Sequence, residues 1–132
     1  MNVLNRYGSL TGRILLALIF LLSGFGKLAG FDGTVGYIAS QGLPAPQLLA
    51  IAAIFMEIGG GLMLVLGWRA RWGAAALFVF TALAALLFHN FWSVPAEQAQ
   101  IQMIMFMKNI AIMGGLLLVL VHGSGQLSLR KN

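Results

Sequence analysis

Cysteine is absent from the 132 residues. Disulfides, thiol chemistry, cysteine-ligated iron–sulfur clusters and zinc–cysteine sites are therefore excluded. Charge is scarce as well. Eight basic and three acidic residues make up 8% of the chain, where a soluble domain carries about 25%. So few charges cannot wet a soluble surface of this size, which argues against a soluble enzyme and against a disordered chain. What stands in their place is apolar: 60% of the residues are hydrophobic, and the mean hydropathy is +0.92. A helix crosses a bilayer with about 20 such residues. The length thus suits a single domain, residues 1–132, of four spans with short connections.

Four apolar runs occupy residues 10–29, 46–67, 72–92 and 101–121. None alternates in the manner of barrel strands, so the fold class is all-α: a polytopic membrane protein built as a four-transmembrane-helix bundle. The first run reads as a span and not a cleaved leader, because Lys27 falls where a cleavage region is uncharged. Between the first two spans, Asp32 suits an N-cap and Gly42 a C′ position, with Pro44 just beyond. That pattern predicts a short helix lying at the membrane interface. Residues 68–72, WRARW, predict a tight basic turn at a membrane surface. Residues 93–100 carry Pro95 and Glu97 and no basic residue.

The net charge of +5 is distributed by side. Arg6, Arg13, Arg69, Arg71, Arg130 and Lys131 fall on one side, and Asp32 and Glu97, with Lys27 nearby, on the other. Basic loops stay in the cytoplasm, so the sequence predicts both termini there. The basic residues are accounted for by the bilayer, and no nucleic-acid partner is expected.

Three charges fall inside spans, where they are costly and face the bundle interior: Lys27, Glu57 and Lys108. At 1.5 Å per residue, Glu57 lies about 16 Å and Lys108 about 10 Å below the outer start of their spans. His89 and Asn90 end the third span, and Asn109 adjoins Lys108. Each span therefore carries a polar group in its outer half. Helical spacing places Arg13, Phe20, Ser23, Gly24 and Lys27 on one stripe of the first span. Ala50, Ala53, Glu57, Gly60 and Gly61 share another in the second. Thr81, Ala82, Ala85 and His89 do so in the third, and Lys108, Ala111 and Gly115 in the fourth. Small residues beside polar ones allow close helix approach in lipid.

This pattern has two readings. In the structural one, Glu57 pairs with Lys27 or Lys108 and ties the helices together. In the functional one, the groups line a polar pocket in the outer half that binds a small molecule or relays protons. Ligand or proton-relay candidates are Lys27, Glu57, His89, Lys108 and Asn109, with Phe88, Phe91 and Trp92 as ring-packing candidates. No metal is expected, because Glu57 and His89 are too few ligands and His122 lies at the opposite end. Met103, Met105 and Met107 suit packing. Gly59–Gly61 is not a phosphate loop, since no GK[ST] follows.

These residues resemble the DoxX family of small bacterial inner-membrane proteins, and within it a short DoxX-like subgroup. The resemblance covers nearly the whole chain. It is carried by Arg13, the SGFGKLAGFDGT stretch with Lys27, YIASQGLP, Glu57 with its following glycines, LGWRAR, FHNFW, and FMKNIAIMGG with Lys108 and Asn109. The tail matches at Gly123, Gly125, Ser128 and Leu129, but Arg130 stands where the family often has an acid. The resemblance implies a four-helix membrane bundle. It also implies association with redox chemistry in which quinone is the acceptor.

Two functions follow as expectations. One is a quinone-linked, redox-associated membrane subunit, at most a subunit of an oxidoreductase, with a redox partner protein as electron source. There Lys108, Asn109 and His89 would donate hydrogen bonds to a quinone carbonyl, and Glu57 would handle a proton. The other is a non-enzymatic scaffold, or a small anion or metabolite transporter, in which Lys27, Glu57 and Lys108 are structural or bind the ligand. Four spans make a narrow bundle, so transport would call for a homo-oligomer.

Overall fold

The computed structural model describes residues 3–130. Five α-helices and one short 3-10 turn follow one another: α1 (Val3–Ala29), α2 (Phe31–Ser40), α3 (Pro46–Leu66), α4 (Ala70–Phe88), the turn Phe91–Ser93, and α5 (Ala96–His122). Four of the segments are long and apolar enough to cross a membrane, and α2 is the short helix expected between the first two. The helices outrun the apolar runs. α1 and α5 each have 27 residues, about 40 Å at helical rise, against about 30 Å of hydrocarbon. The added turns carry Asn5, Arg6 and Ser9 in α1 and Glu97 and Gln98 in α5. Polar side chains do not stop a helix that has left the hydrocarbon. Lys131 lies outside the described residues.

Helix ends follow local chemistry, with one correction. α2 starts at Phe31 with Gly30 at its N-cap, so Asp32 sits in the first turn instead of capping it. There its carboxylate still faces the positive end of the helix dipole. Gly42 has φ +77 just past the C-cap Gln41, the left-handed position that glycine adopts without a steric penalty.

α1 packs chiefly on α3, and α4 on α5, with the α3–α4 seam joining the two pairs; α1 and α5 touch only slightly. The core, which includes Ala17, Phe20, Leu64, Ala74, Leu77 and Leu116, lies toward the end that holds the α3–α4 turn. Close approach there depends on missing side chains. A Cβ on Gly60 would lie 2.6 Å from Leu77 Cγ, and one on Gly24 would lie 2.6 Å from Ile58 Cγ1. Lipid offers no hydrophobic drive for helix association, so close packing of this kind carries it.

The stripe expected for the fourth span is displaced. Ala111 is exposed, and the buried positions of α5 are Asn109 and Leu116. Lys108 and Gly115 lie on the flank toward α1, where a Cβ on Gly115 would come 3.4 Å from Leu16.

Arg13 is not a surface charge either: it is 2% exposed. Its Nη1 donates to Leu64 O at 2.7 Å and to Val65 O at 3.3 Å, and its Nη2 donates to Leu127 O. One guanidinium thus satisfies carbonyls at the end of α3 and holds the tail. The tail returns along the α3–α4 turn, with Leu129 N donating to Leu66 O at 3.0 Å and Arg69 N to Arg130 O at 3.0 Å.

Candidate ligand site

A cavity of about 470 Å³ lies between the helices at the end away from the arginines. Lys27, Glu57, His89, Lys108 and Asn109 all line it, together with Ser23, Thr81 and a mostly apolar wall. α1, α3, α4 and α5 each contribute polar groups, and α2 and the segment after it add Tyr37, Ile38 and Leu43. The volume falls in the usual range of small-molecule sites, about 300–1,000 Å³.

Glu57 lines the cavity and is 4% exposed. Lys27 Nζ approaches its Oε1 at 2.8 Å. The ammonium's aligned hydrogen bond goes to Ser23 Oγ at 2.6 Å, one helical turn back on α1. Glu57 Oε1 is thus in charge contact but accepts no aligned hydrogen bond, which leaves it acceptor capacity toward the cavity.

The second lysine is not part of this pair. Among the described residues Lys108 makes no ion pair or hydrogen bond. It is half-buried on the cavity wall beside buried Asn109. Thr81 is 3% exposed, and its hydroxyl has no partner among the described residues. A buried hydroxyl with no hydrogen bond costs about 1–3 kcal/mol, so its face of the cavity favours a polar atom. With Lys27 offset by Glu57, Lys108 leaves the wall one positive charge in excess.

His89 ends α4 at φ −126, outside the helical range. Its Nδ1 donates to Gln102 Oε1 at 2.9 Å, a bond that fixes the ring against α5. Phe88 lines the cavity and stacks on Tyr37, with centroids 5.5 Å apart and an interplanar angle of 29°. Phe91 and Trp92 do not line it; they pack edge-on with Phe106 at centroid distances of 5.5 Å. The helix stops at Phe88, so the periodicity of α4 no longer directs the two rings inward. Tyr37 and Gln102 had no signal in the sequence, since their roles depend on how α2 and α5 meet α4. Among the described residues no three His, Asp or Glu side chains come together to hold a metal.

The fold and the site together define a small helical membrane protein with a polar-headed, apolar-walled cavity at one end of the bundle. The family model for DoxX matches residues 8–90, which span α1 to the end of α4. The inner membrane protein YphA of Escherichia coli K12 is 43% identical over 121 residues, covering 91% of this chain and 86% of YphA. YqjF, a second inner membrane protein of that strain, is 36% identical over 129 residues, covering 98% and 94%. CatD of Bacillus subtilis, which carries a provisional oxidoreductase name, is 33% identical over 87 residues, covering 66% and 63%. No solved structure matches the chain at a significant level. The chain belongs to the DoxX family, and like YphA and YqjF it is an inner membrane protein.

Proposed function

We propose that this protein is a redox-associated membrane subunit whose outer cavity holds the head of a quinone. The observation that carries the reading is a set of unspent hydrogen-bond donors, the Lys108 ammonium and the Thr81 hydroxyl, facing an apolar-walled space. A quinone head needs donors at its carbonyl oxygens and apolar contact on its ring faces. Lys108 and Asn109 would hold one carbonyl, and Phe88 would pack on the ring. Glu57 would take up or release a proton at its free acceptor positions, beside the Lys27 ammonium. The quinone, when bound, supplies two-electron acceptor chemistry. The chain has no cysteine, so the electrons come from a redox partner protein or from a donor bound directly. The oxidoreductase name of CatD supports this direction.

The test is chemical extraction of protein purified from native membranes. Quinone should co-purify, and Lys108→Met should weaken its binding about tenfold, the loss of one charge-assisted hydrogen bond. Folded wild-type protein that neither retains nor binds quinone would remove the proposal.

Orientation belongs to the same reading. Arg6, Arg69, Arg71 and Arg130 gather at one end, and Asp32 and Glu97 at the other. The basic end belongs in the cytoplasm, which puts both termini inside and the cavity in the outer leaflet. A fluorescent protein fused after residue 132 should fold and glow; a dark but intact fusion would reverse the assignment.

A further inference from the structure

The cavity has two kinds of wall, and they differ in what lies behind them. At the outer end, α2 lies across it. Ile38 is 5% exposed and lines the cavity from above. Tyr37 stacks on Phe88 of α4, and the His89–Gln102 bond ties the end of α4 to α5. At the inner end, the Gly60–Leu77 contact and the core around Phe20 close the floor. Along the side the arrangement is different. Leu49 and Ala52 of α3 and Val79, Leu83 and Leu87 of α4 line the cavity and are also exposed, Val79 by 58% and Leu83 by 53%. Residues that belong both to a cavity wall and to the outer surface mark its mouth. Five of the seven such residues form a slot between α3 and α4, and all five are apolar; the other two, Ile19 of α1 and Tyr37 of α2, stand singly on their helices. The two helices touch closely at Gly60 and Gly73, nearer their shared turn, and the slot lies beyond that contact.

We infer that ligand enters this site sideways from the bilayer, through the α3–α4 slot, and that it is a membrane-resident amphiphile with an acceptor-oxygen head and an apolar tail. The inference rests on the cavity being a ligand site, as proposed above, and adds the route and the class. The head lies among Lys108, Thr81 and Asn109, where the unspent donors and the excess positive charge are. The tail leaves between Leu49 and Ala52 on one side and Val79 and Leu83 on the other, into acyl chains that match it. A water-soluble anion has no such path, because an all-apolar slot offers its hydration shell nothing in exchange. A quinone carbonyl and a fatty carboxylate share the required chemistry, and the experiment separates them.

The protein, in nanodiscs, is probed with doxyl-labelled stearate, and the immobilised fraction is read by electron paramagnetic resonance. Wild type should show an immobilised component. Lys108→Met should weaken it about tenfold, the worth of one charge-assisted contact. Ala52→Phe fills the slot from an exposed position, so folding is spared, and it should weaken binding about fivefold or more by steric exclusion. Ala111→Phe, exposed on α5 and outside the cavity, should change nothing. Unlabelled stearate should displace the probe, and hexanoate at the same concentration should not.

Displacement by hexanoate as effective as by stearate, or indifference to Ala52→Phe, overturns the inference, as does the absence of any immobilised component in folded protein. The two proposals fail separately. Slot-dependent stearate binding without quinone keeps the lateral site and removes the quinone. Quinone binding indifferent to Ala52→Phe keeps the quinone and removes the slot.

Discussion

Lys27 reaches Glu57 from the C-terminal end of α1, and the asymmetry of the pair sets its worth. Glu57's side chain is 5% exposed and Lys27's is 31% exposed. Losing the lysine strands a buried carboxylate, while losing the carboxylate leaves an ammonium that can still turn toward water and keep Ser23. The two single changes should therefore differ. Lys27→Met should cost about 3 kcal/mol, near the low end for a broken buried pair, and Glu57→Gln about 1–2 kcal/mol. The double variant should recover part of the loss, with a coupling of about 1 kcal/mol or more in a double-mutant cycle. Thermal unfolding in one detergent checks all three. If both single variants melt alike and their effects simply add, the pair is incidental, and Glu57 is kept in the bundle for some other reason.

At the scale of elements, the sequence was informative where polarity is rare and silent where everything is apolar. Charges inside apolar runs are costly, so Lys27, Glu57 and Lys108 announced an interior, and His89 and Asn109 stood out for the same reason. The structure brings all five to one cavity. The phase of α5 was not legible. Two neighbouring stripes, Lys108–Ala111–Gly115 and Asn109–Ile112–Leu116, are about 100° apart on the helix, and both read as small or apolar. The choice between them was made chiefly by which residues of α4 lay opposite. Phe91 and Trp92 lie beyond the end of α4 at Phe88, in a 3-10 turn, and pack on Phe106 away from the cavity. α2 was legible as a helix from Gly42 and Pro44, but its position across the cavity was not. That position is set by packing on α3 and α1 and by the stack of Tyr37 on Phe88, a contact between segments far apart in sequence.

At the scale of the molecule, the basic end is joined by a clasp that draws on three distant stretches of chain. Arg13 in α1 donates to the last turn of α3 and to Leu127 of the tail, and the tail pairs with the α3–α4 turn. Gly67 makes the geometry possible: its φ is +66, and a Cβ there would lie 2.5 Å from Ser128 Cβ and 2.7 Å from Arg13 Nη1. An arginine suits this place because its planar fork can serve two carbonyl sets at once, whereas a lysine ammonium is a single point. Arg13→Met leaves the half-buried Leu127 carbonyl without its side-chain donor and Leu64 O with only the longer bond from Gly67 N, and should cost about 3 kcal/mol. Arg13→Lys should fall between Arg13→Met and wild type. Protease should then cut the tail beyond His122 faster, while the cavity at the other end of the bundle and its probe binding stay as they were, since the two ends share no side chain. Gly67→Ala attacks the same point without touching charge. If the clasp is one unit, it should also free the tail, and its effect should not add to that of Arg13→Met. Fully additive losses, or an Arg13→Met protein whose tail stays protected, would show that α1, the turn and the tail are held independently.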